Sequence, residues 1–127
     1  MNNKHTLLID DNEVDNYISQ HIILKSKMSE KVTVKSSALE ALEYLHTLKS
    51  NPDESPDLIF LDIRMPEMDG FGFLDEFNKF PDAIKNHCII YMLTSSNDSN
   101  DITKSLQYPI VKKYLNKPLS MSILQSL

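Results

Sequence analysis

The stretch that decides the fold is Leu58-Ile59-Phe60-Leu61-Asp62, four consecutive apolar residues that run directly into an acid. A short, continuous apolar run that ends at a polar residue is typical of a β-strand buried on both faces. The turn-forming residues Pro66 and Gly70 follow and predict a loop before the next element. A strand of this kind belongs in a parallel sheet with helices packed over both faces.

The rest of the chain alternates in the same way between short apolar runs and stretches with helical spacing. After the first run, Val14, Ile18 and Ile22 recur every four residues, which predicts a helix. The order βαβαβαβαβα predicts an α/β fold with a doubly wound, five-stranded parallel sheet in the order 2-1-3-4-5 and a short last helix after Ser120. The other four strands are predicted at residues 6–9, 32–34, 87–93 and 110–115.

Length and composition bound the class of protein. A chain of 127 residues predicts one domain, residues 1–127. A net charge of −5 argues against direct binding of nucleic acid, and the single cysteine excludes a disulfide framework or a zinc site built from cysteines. Because no apolar run approaches the roughly 20 residues of a membrane span, and residues 1–5 carry no apolar signal core, we expect a cytoplasmic protein without a membrane partner.

Chemically active side chains follow four of the five predicted strands. The carboxyl ends of parallel strands share one edge of the sheet, and strands one and three flank the switch point of this strand order. We therefore expect these side chains to converge in one cleft. In strand order they are Asp10 and Asp11, Asp62, Thr94 and Lys117.

Three carboxylates in one cleft repel each other unless a cation lies among them. Mg²⁺ suits such a site because it takes oxygen ligands, whereas the lack of clustered His or Cys argues against zinc or copper. A cation beside a carboxylate is the arrangement of phosphoryl transfer. Lys117 would supply a second positive charge there, and the Thr94 hydroxyl a hydrogen bond to a phosphoryl oxygen.

Each of these residues also has an ordinary structural explanation. The pair Asp10-Asp11 suits a helix cap, Asp62 a turn, and Thr94 plain strand packing. Lys117 could equally be a solvated charge at a strand end. Their common position at strand ends favours the functional interpretation, whereas for Tyr114 half-buried packing stays an alternative.

Four segments resemble the receiver domain of two-component response regulators, in matching order and over nearly the whole chain. The strongest is D-x-x-M-P-x-M-D-G, which begins at Asp62. The resemblance implies a flavodoxin-like receiver fold. The four segments are Ile9-Asp10-Asp11-Asn12, residues 61–70, Leu93-Thr94-Ser95-Ser96 and Tyr114-Leu115-Asn116-Lys117-Pro118.

The resemblance implies a role for each matched residue at the site. Asp62 corresponds to the residue that accepts a phosphoryl group, and Lys117 to the lysine that contacts a phosphoryl oxygen. Asp11 corresponds to a direct metal ligand and Asp10 to a ligand that acts mostly through water. Asp62 and the backbone carbonyl of Arg64 complete the implied protein ligands.

The resemblance also implies a conformational switch and a set of partners. Thr94 would move toward the phosphoryl group, Tyr114 would turn inward, and the bond before Pro118 would be cis. The implied function is Mg²⁺-dependent phosphorylation of Asp62 by a histidine kinase, with Mn²⁺ able to substitute, which changes a partner-binding face. The implied partners are a sensor histidine kinase or phosphotransfer protein, an output partner, and a second copy bound through the fourth helix, fifth strand and last helix.

Two alternatives share the fold class. A Mg²⁺-dependent phosphatase or phosphotransferase with an aspartyl-phosphate intermediate needs an acid two residues after its nucleophile, where Arg64 stands, and a substrate cap that the sequence lacks. A flavin-binding module needs a phosphate loop after the first strand, where acids stand instead. We therefore expect a phosphoacceptor signalling domain rather than an enzyme, one that catalyses only its own phosphoryl uptake and hydrolysis.

Overall fold

The computed structural model describes residues 5–127, so most of the segment inspected for a signal core, residues 1–4, lies outside the described residues. Within this range the chain alternates between strands and helices, with an additional 3-10 helix at Pro52–Glu54. The strands are β1 (His5–Ile9), β2 (Lys31–Lys35), β3 (Leu58–Leu61), β4 (Ile89–Thr94) and β5 (Val111–Asn116). The helices are α1 (Glu13–Ser26), α2 (Ala38–His46), α3 (Gly70–Phe77), α4 (Asp82–Lys85), α5 (Ser99–Leu106) and α6 (Met121–Gln125).

The five strands form one parallel sheet in the order β2-β1-β3-β4-β5, which confirms the predicted topology. The register aligns the carboxyl ends of the central strands, since Ile9 pairs with Leu61 and Leu61 with Met92. The backbone N–H of Asp62 still donates to the carbonyl of Ile9, at 3.0 Å. The acids after β1 and β3 therefore begin at the same edge of the sheet.

The deciding strand β3 is buried on both faces because its side chains alternate between two hydrophobic cores. Ile59 and Leu61 pack with residues of α2 and α3 on one face, and Leu58 and Phe60 pack with residues of α1 and α6 on the other. All four side chains of the strand are at most 2% exposed. Full burial of one such side chain stabilises the fold by about 1.5–3 kcal/mol, which explains the unbroken apolar run.

Helix α1 forms where the sequence predicts a helix, but of its three predicted apolar positions Ile22 packs against the core and the other two point outward. Val14 is 67% exposed and Ile18 is 39% exposed, whereas Asn16, Ser19 and Ile23 are buried. The side-chain amide of Asn16 donates to the backbone carbonyl of Asp10 at 2.8 Å, so the polar residue is satisfied in its buried position. The outward apolar residues consequently form an exposed strip on α1.

A smaller difference concerns the start of one strand. The strand predicted at residues 87–93 begins two residues later, at Ile89, because the N–H groups of His87 and Cys88 donate to the carbonyl of Ile84 in the turn that ends α4. The last helix is short, as predicted, and Ser120 caps it by accepting a hydrogen bond from the N–H of Ile123 at 3.2 Å. In the part of the chain that the structure describes, none of the helices has the length and apolar character needed to cross a membrane.

Candidate functional site

Three carboxylates meet at the carboxyl ends of β1 and β3. One side-chain oxygen each from Asp10, Asp11 and Asp62 lies within 4.8 Å of the other two. Asp10 and Asp62 are buried and Asp11 is exposed, so the cluster opens to solvent on one side. Asp10 is held by the N–H of Asn12, which donates to its Oδ1 at 3.0 Å.

The ammonium group of Lys117 reaches this cluster from the end of β5. Its Nζ lies 2.6 Å from Oδ2 of Asp10 and 3.1 Å from Oδ2 of Asp62. It also lies 2.7 Å from Oδ2 of Asp15, on the first turn of α1. The sequence reasoning did not include Asp15, although its place four residues after Asp11 puts it one helical turn from the acid pair.

The charges at this edge of the sheet shift two pKa values. Burial raises the pKa of Asp10, and the charge of Asp62 adds to this, while hydrogen bonds from Lys117 and the N–H of Asn12 oppose it. Burial lowers the pKa of Lys117, but its hydrogen bonds to Asp10 and Asp15 and the charge of Asp62 outweigh this and raise the pKa above its ordinary value. Lys117 is therefore a permanent cation at physiological pH.

The loop after Asp62 is shaped by close backbone packing. The N–H of Ile63 donates to Oδ1 of Asp62 at 2.8 Å, which orients the carboxylate. A Cβ added at Gly70 would lie 2.5 Å from the backbone oxygen of Asp62, so only glycine fits there. Glu67 adopts a left-handed conformation with φ of 69°. These features bring the start of α3 back against the strand that carries Asp62.

Thr94 and Tyr114 are linked through Ser96 rather than directly to the carboxylates. The buried Thr94 hydroxyl accepts a hydrogen bond from the N–H of Ser96 at 3.2 Å. The hydroxyl of Tyr114 donates to the backbone carbonyl of Ser96 at 2.7 Å. The backbone N–H of Lys117 donates to the carbonyl of Thr94 at 2.9 Å, and the bond between Lys117 and Pro118 is cis.

A second polar cluster, which the sequence reasoning missed, joins the loop after β3 to α5. Oδ2 of Asp101 lies 2.5 Å from Nη2 of Arg64 and accepts a hydrogen bond from the Ser96 hydroxyl at 2.8 Å. The position of Asp101, three residues after the α5 cap Asp98, carries no signal of this pairing in the sequence. The cluster connects the residue two positions after Asp62 to the loop that contacts Tyr114.

The donor set at the carboxylate cluster fits a hard divalent cation. Among the described residues, the group close enough to hold a metal consists only of carboxylates, and these oxygen ligands suit Mg²⁺ or Mn²⁺ rather than zinc or copper. A divalent charge would offset both the burial of the Asp10 carboxylate and the smaller effect of the Asp62 charge, which together raise the pKa of Asp10. The remaining open side would admit a phosphoryl donor.

Comparisons with known proteins agree with this geometry. The sequence profile of the response regulator receiver domain matches residues 6–127. The chain is 28% identical over 121 residues to the two-component response regulator ORR8 of Oryza sativa, covering 95% of this chain and 92% of that protein.

Solved structures give the same result. A two-component response regulator from Cytophaga hutchinsonii superposes with a TM-score of 0.90 at 29% identity, covering 99% of this chain and 94% of that one. The Mn²⁺-bound form of response regulator Rcp1 superposes with a TM-score of 0.77 at 25% identity, covering 97% of this chain and 90% of that one. The chain belongs to the response regulator receiver domain family and is a receiver domain of two-component signalling.

Proposed function

We propose that Asp62 is the phosphoacceptor of a single receiver domain formed by residues 1–127. The observation that carries the proposal is the position of the Asp62 carboxylate, 3.1 Å from the Lys117 ammonium and within 4.8 Å of the carboxylates of Asp10 and Asp11. In the proposed step an oxygen of Asp62 attacks the phosphorus of a phosphohistidine. The P–O bond forms as the P–N bond breaks, and the histidine of the donor leaves.

Asp10, Asp11, Asp62 and the backbone carbonyl of Arg64 are the proposed ligands of Mg²⁺, for which Mn²⁺ can substitute. Such an ion supplies electrostatic stabilisation of the phosphoryl oxygens during transfer. Lys117, 3.1 Å from Asp62, provides the second cation, and Thr94 offers its hydroxyl to a phosphoryl oxygen. The domain then catalyses its own phosphoryl uptake and hydrolysis, and acts as a signalling domain rather than on a separate substrate.

The switch proposed for the phosphorylated protein uses the contacts of Ser96. A Thr94 hydroxyl that turns to a phosphoryl oxygen gives up its hydrogen bond from the N–H of Ser96, and Ser96 also carries the Tyr114 contact. A local charge change would thus be transmitted to α5 and β5. We propose that the face of α5, β5 and α6, where Leu106 is 56% exposed, binds the output partner or a second copy of the chain.

The proposed donor is a sensor histidine kinase or phosphotransfer protein in the cytoplasm. The exposed strip of α1 supports docking of a protein donor because Val14 and Tyr17, 67% and 72% exposed, lie just after the acid pair. Large apolar side chains exposed together mark interaction surfaces. We propose no direct binding of nucleic acid or of a membrane.

The alternative of a phosphatase with an aspartyl-phosphate intermediate is not favoured. Such an enzyme needs a general acid near its nucleophile. The residue two positions after Asp62 is Arg64, a permanent cation whose guanidinium is paired with Asp101. This position therefore cannot donate a proton to a leaving group.

The experiment is incubation with Mg²⁺ and acetyl phosphate, followed by intact-mass measurement. We expect a hydroxylamine-labile gain of one phosphoryl group in the wild type and none in Asp62→Asn. Asp53→Asn, which changes an exposed acid in the 3-10 helix, is the matched control and should take up the group normally. Uptake that persists in Asp62→Asn, or its absence from the wild type together with no stabilisation by beryllofluoride and Mg²⁺, contradicts the proposal.

A further inference from the structure

We propose that Asp15 is a positioning residue for Lys117, which holds the lysine ammonium at the site while Asp62 is phosphorylated. This inference rests on the proposed function, because it concerns how Lys117 is kept ready for that reaction. Asp15 itself does not touch the phosphoryl group.

The geometry around Nζ of Lys117 carries the inference. An ammonium group has three N–H donors. Three carboxylates surround it, with Oδ2 of Asp15 at 2.7 Å, Oδ2 of Asp10 at 2.6 Å and Oδ2 of Asp62 at 3.1 Å. Asp15 thus accepts one of the three hydrogen bonds that the ammonium group can donate.

Asp15 differs from the other two carboxylates in the rest of its surroundings. Asp10 and Asp62 belong to the metal-binding cluster, so their charge serves both Lys117 and a cation. Asp15 is not a member of that cluster, and its carboxylate serves Lys117 without this competition. Its backbone is fixed at the start of α1, where its N–H donates to Oδ1 of Asn12 at 3.0 Å.

A lysine needs such a hold because its side chain is long and flexible. The four-carbon stem allows many rotamers, and transfer requires the ammonium to be in place before charge develops on the phosphoryl oxygens. The contact to Asp62 is altered once that residue carries a phosphoryl group. The contact to Asp15, 102 positions away in sequence, leaves the ammonium anchored to α1 throughout.

Two substitutions separate the hydrogen bond from the charge. Asp15→Asn keeps an oxygen acceptor in the same place, and Asp15→Ala removes the acceptor altogether. We expect Asp15→Ala to lower the limiting rate of phosphoryl uptake from acetyl phosphate about tenfold, with little change in the concentration of donor that gives half the limiting rate. Asp15→Asn should retain most of the wild-type rate. Glu13→Ala, which removes an exposed acid from the same helical turn, is the matched control and should leave the rate unchanged.

A second readout does not depend on phosphorylation. In the metal-free protein, reductive methylation of Lys117 is compared by mass spectrometry with that of the exposed residues Lys112 and Lys113. Loss of the Asp15 carboxylate removes the 2.7 Å contact that holds Nζ in place, so the relative labelling of Lys117 in Asp15→Ala should increase several-fold while that of Lys112 stays unchanged. A protein that fails to take up phosphate but shows this labelling change refutes the proposed function and retains the inference about Asp15.

The contrary outcomes are equally distinct. Wild-type labelling of Lys117 in Asp15→Ala shows that Asp15 does not hold the ammonium. The inference is also overturned if Asp15→Ala takes up the phosphoryl group at the wild-type rate or faster while its melting temperature matches that of Glu13→Ala. Asp15 would then have no effect on the rate or would lower it. A loss of rate in Asp15→Asn as large as in Asp15→Ala overturns it too, because charge and not position would be responsible.

Discussion

Arg64 and Asp101 form an ion pair, with Nη2 of Arg64 2.5 Å from Oδ2 of Asp101, that joins the loop after β3 to the first turn of α5. The Arg64 side chain is 64% exposed and the Asp101 side chain 11% exposed. The same Asp101 oxygen also accepts the Ser96 hydroxyl at 2.8 Å. The two partners of this ion pair therefore contribute unequally to stability.

Removal of either partner should reveal that inequality. Arg64→Ala loses a solvent-screened ion pair and should cost about 0.2–1 kcal/mol of unfolding free energy. Asp101→Ala also leaves the Ser96 hydroxyl without its acceptor and should cost about 1–3 kcal/mol. Urea denaturation of both variants and the double variant measures the costs and the coupling. Equal costs, or additive costs in the double variant, would show that the pair is not a structural link.

The two glycines of α3 form a matched pair for a second prediction. Gly70→Ala places a Cβ 2.5 Å from the backbone oxygen of Asp62, which cannot yield without moving the backbone at the end of β3. We expect a loss of about 3 kcal/mol in unfolding free energy and of phosphoryl uptake. Gly72→Ala meets only Cγ of Met68, at 2.7 Å, and a flexible side chain can move.

The gain in helix propensity, about 1 kcal/mol, should offset the displacement of Met68 and leave Gly72→Ala within about 1 kcal/mol of the wild type. Thermal unfolding and acetyl phosphate labelling of both variants provide the measurement. Gly70→Ala with wild-type stability would mean that the loop after Asp62 is not packed as tightly as the structure has it.

Removal of divalent metal should lower stability through the carboxylate cluster. A cation at ten times its dissociation constant adds about 1.4 kcal/mol of stability, which corresponds to roughly 5 °C in melting temperature for a domain of this size. Melting curves in EDTA and in MgCl₂ should therefore separate in the wild type and coincide in Asp11→Asn. Asp11 is exposed, so this change should cost little folding energy by itself.

Glu13→Gln is the control for that experiment, since it removes an acid close in sequence that lies outside the cluster. Its melting temperature should rise with Mg²⁺ as in the wild type. A full Mg²⁺ effect in Asp11→Asn would place the cation elsewhere on the protein.

The single thiol should be inert in the native protein and sensitive to alkaline pH. Burial, with a further contribution from the charge of Asp57, raises the pKa of Cys88 to about 12. The folded state disfavours the thiolate. The buried neutral thiol of Cys88 therefore contributes fully to stability below about pH 9, and this contribution is lost as the pH rises toward 12.

Wild type and Cys88→Ala should therefore differ in unfolding free energy by a constant amount below pH 9, and the wild type should lose stability relative to the variant above it. At pH 8, labelling of Cys88 by a thiol reagent should proceed only at the rate of unfolding, since the thiolate is the reactive form. Rapid labelling without denaturant would show that the residue is accessible in the folded state.

The fold and the central part of the site could be predicted from local sequence patterns. Four unbroken apolar residues bounded by turn-forming residues are typical of a strand buried on both faces, and the βα alternation leaves few topologies for a parallel sheet. Asp10, Asp11, Asp62 and Lys117 follow strands directly, so a correct sheet order brings them to one edge. Their proximity is a consequence of strand register and needs no knowledge of side-chain packing.

Contacts between side chains on different elements were decided only by the tertiary structure. The spacing of Val14 and Ile18 is equally consistent with buried and with exposed positions, and both side chains lie outward while Asn16 packs inward against Asp10. Asp15 meets Lys117 across 102 positions, and Arg64 meets Asp101 across 37. The rotation of each helix against the sheet determines which charged residues meet. That rotation is set by the packing of the whole core, so it cannot be inferred from one segment of the sequence. The sequence by itself thus determined the strands, their order and the acids at their ends, and the packed core determined which residues hold those acids and Lys117 in place.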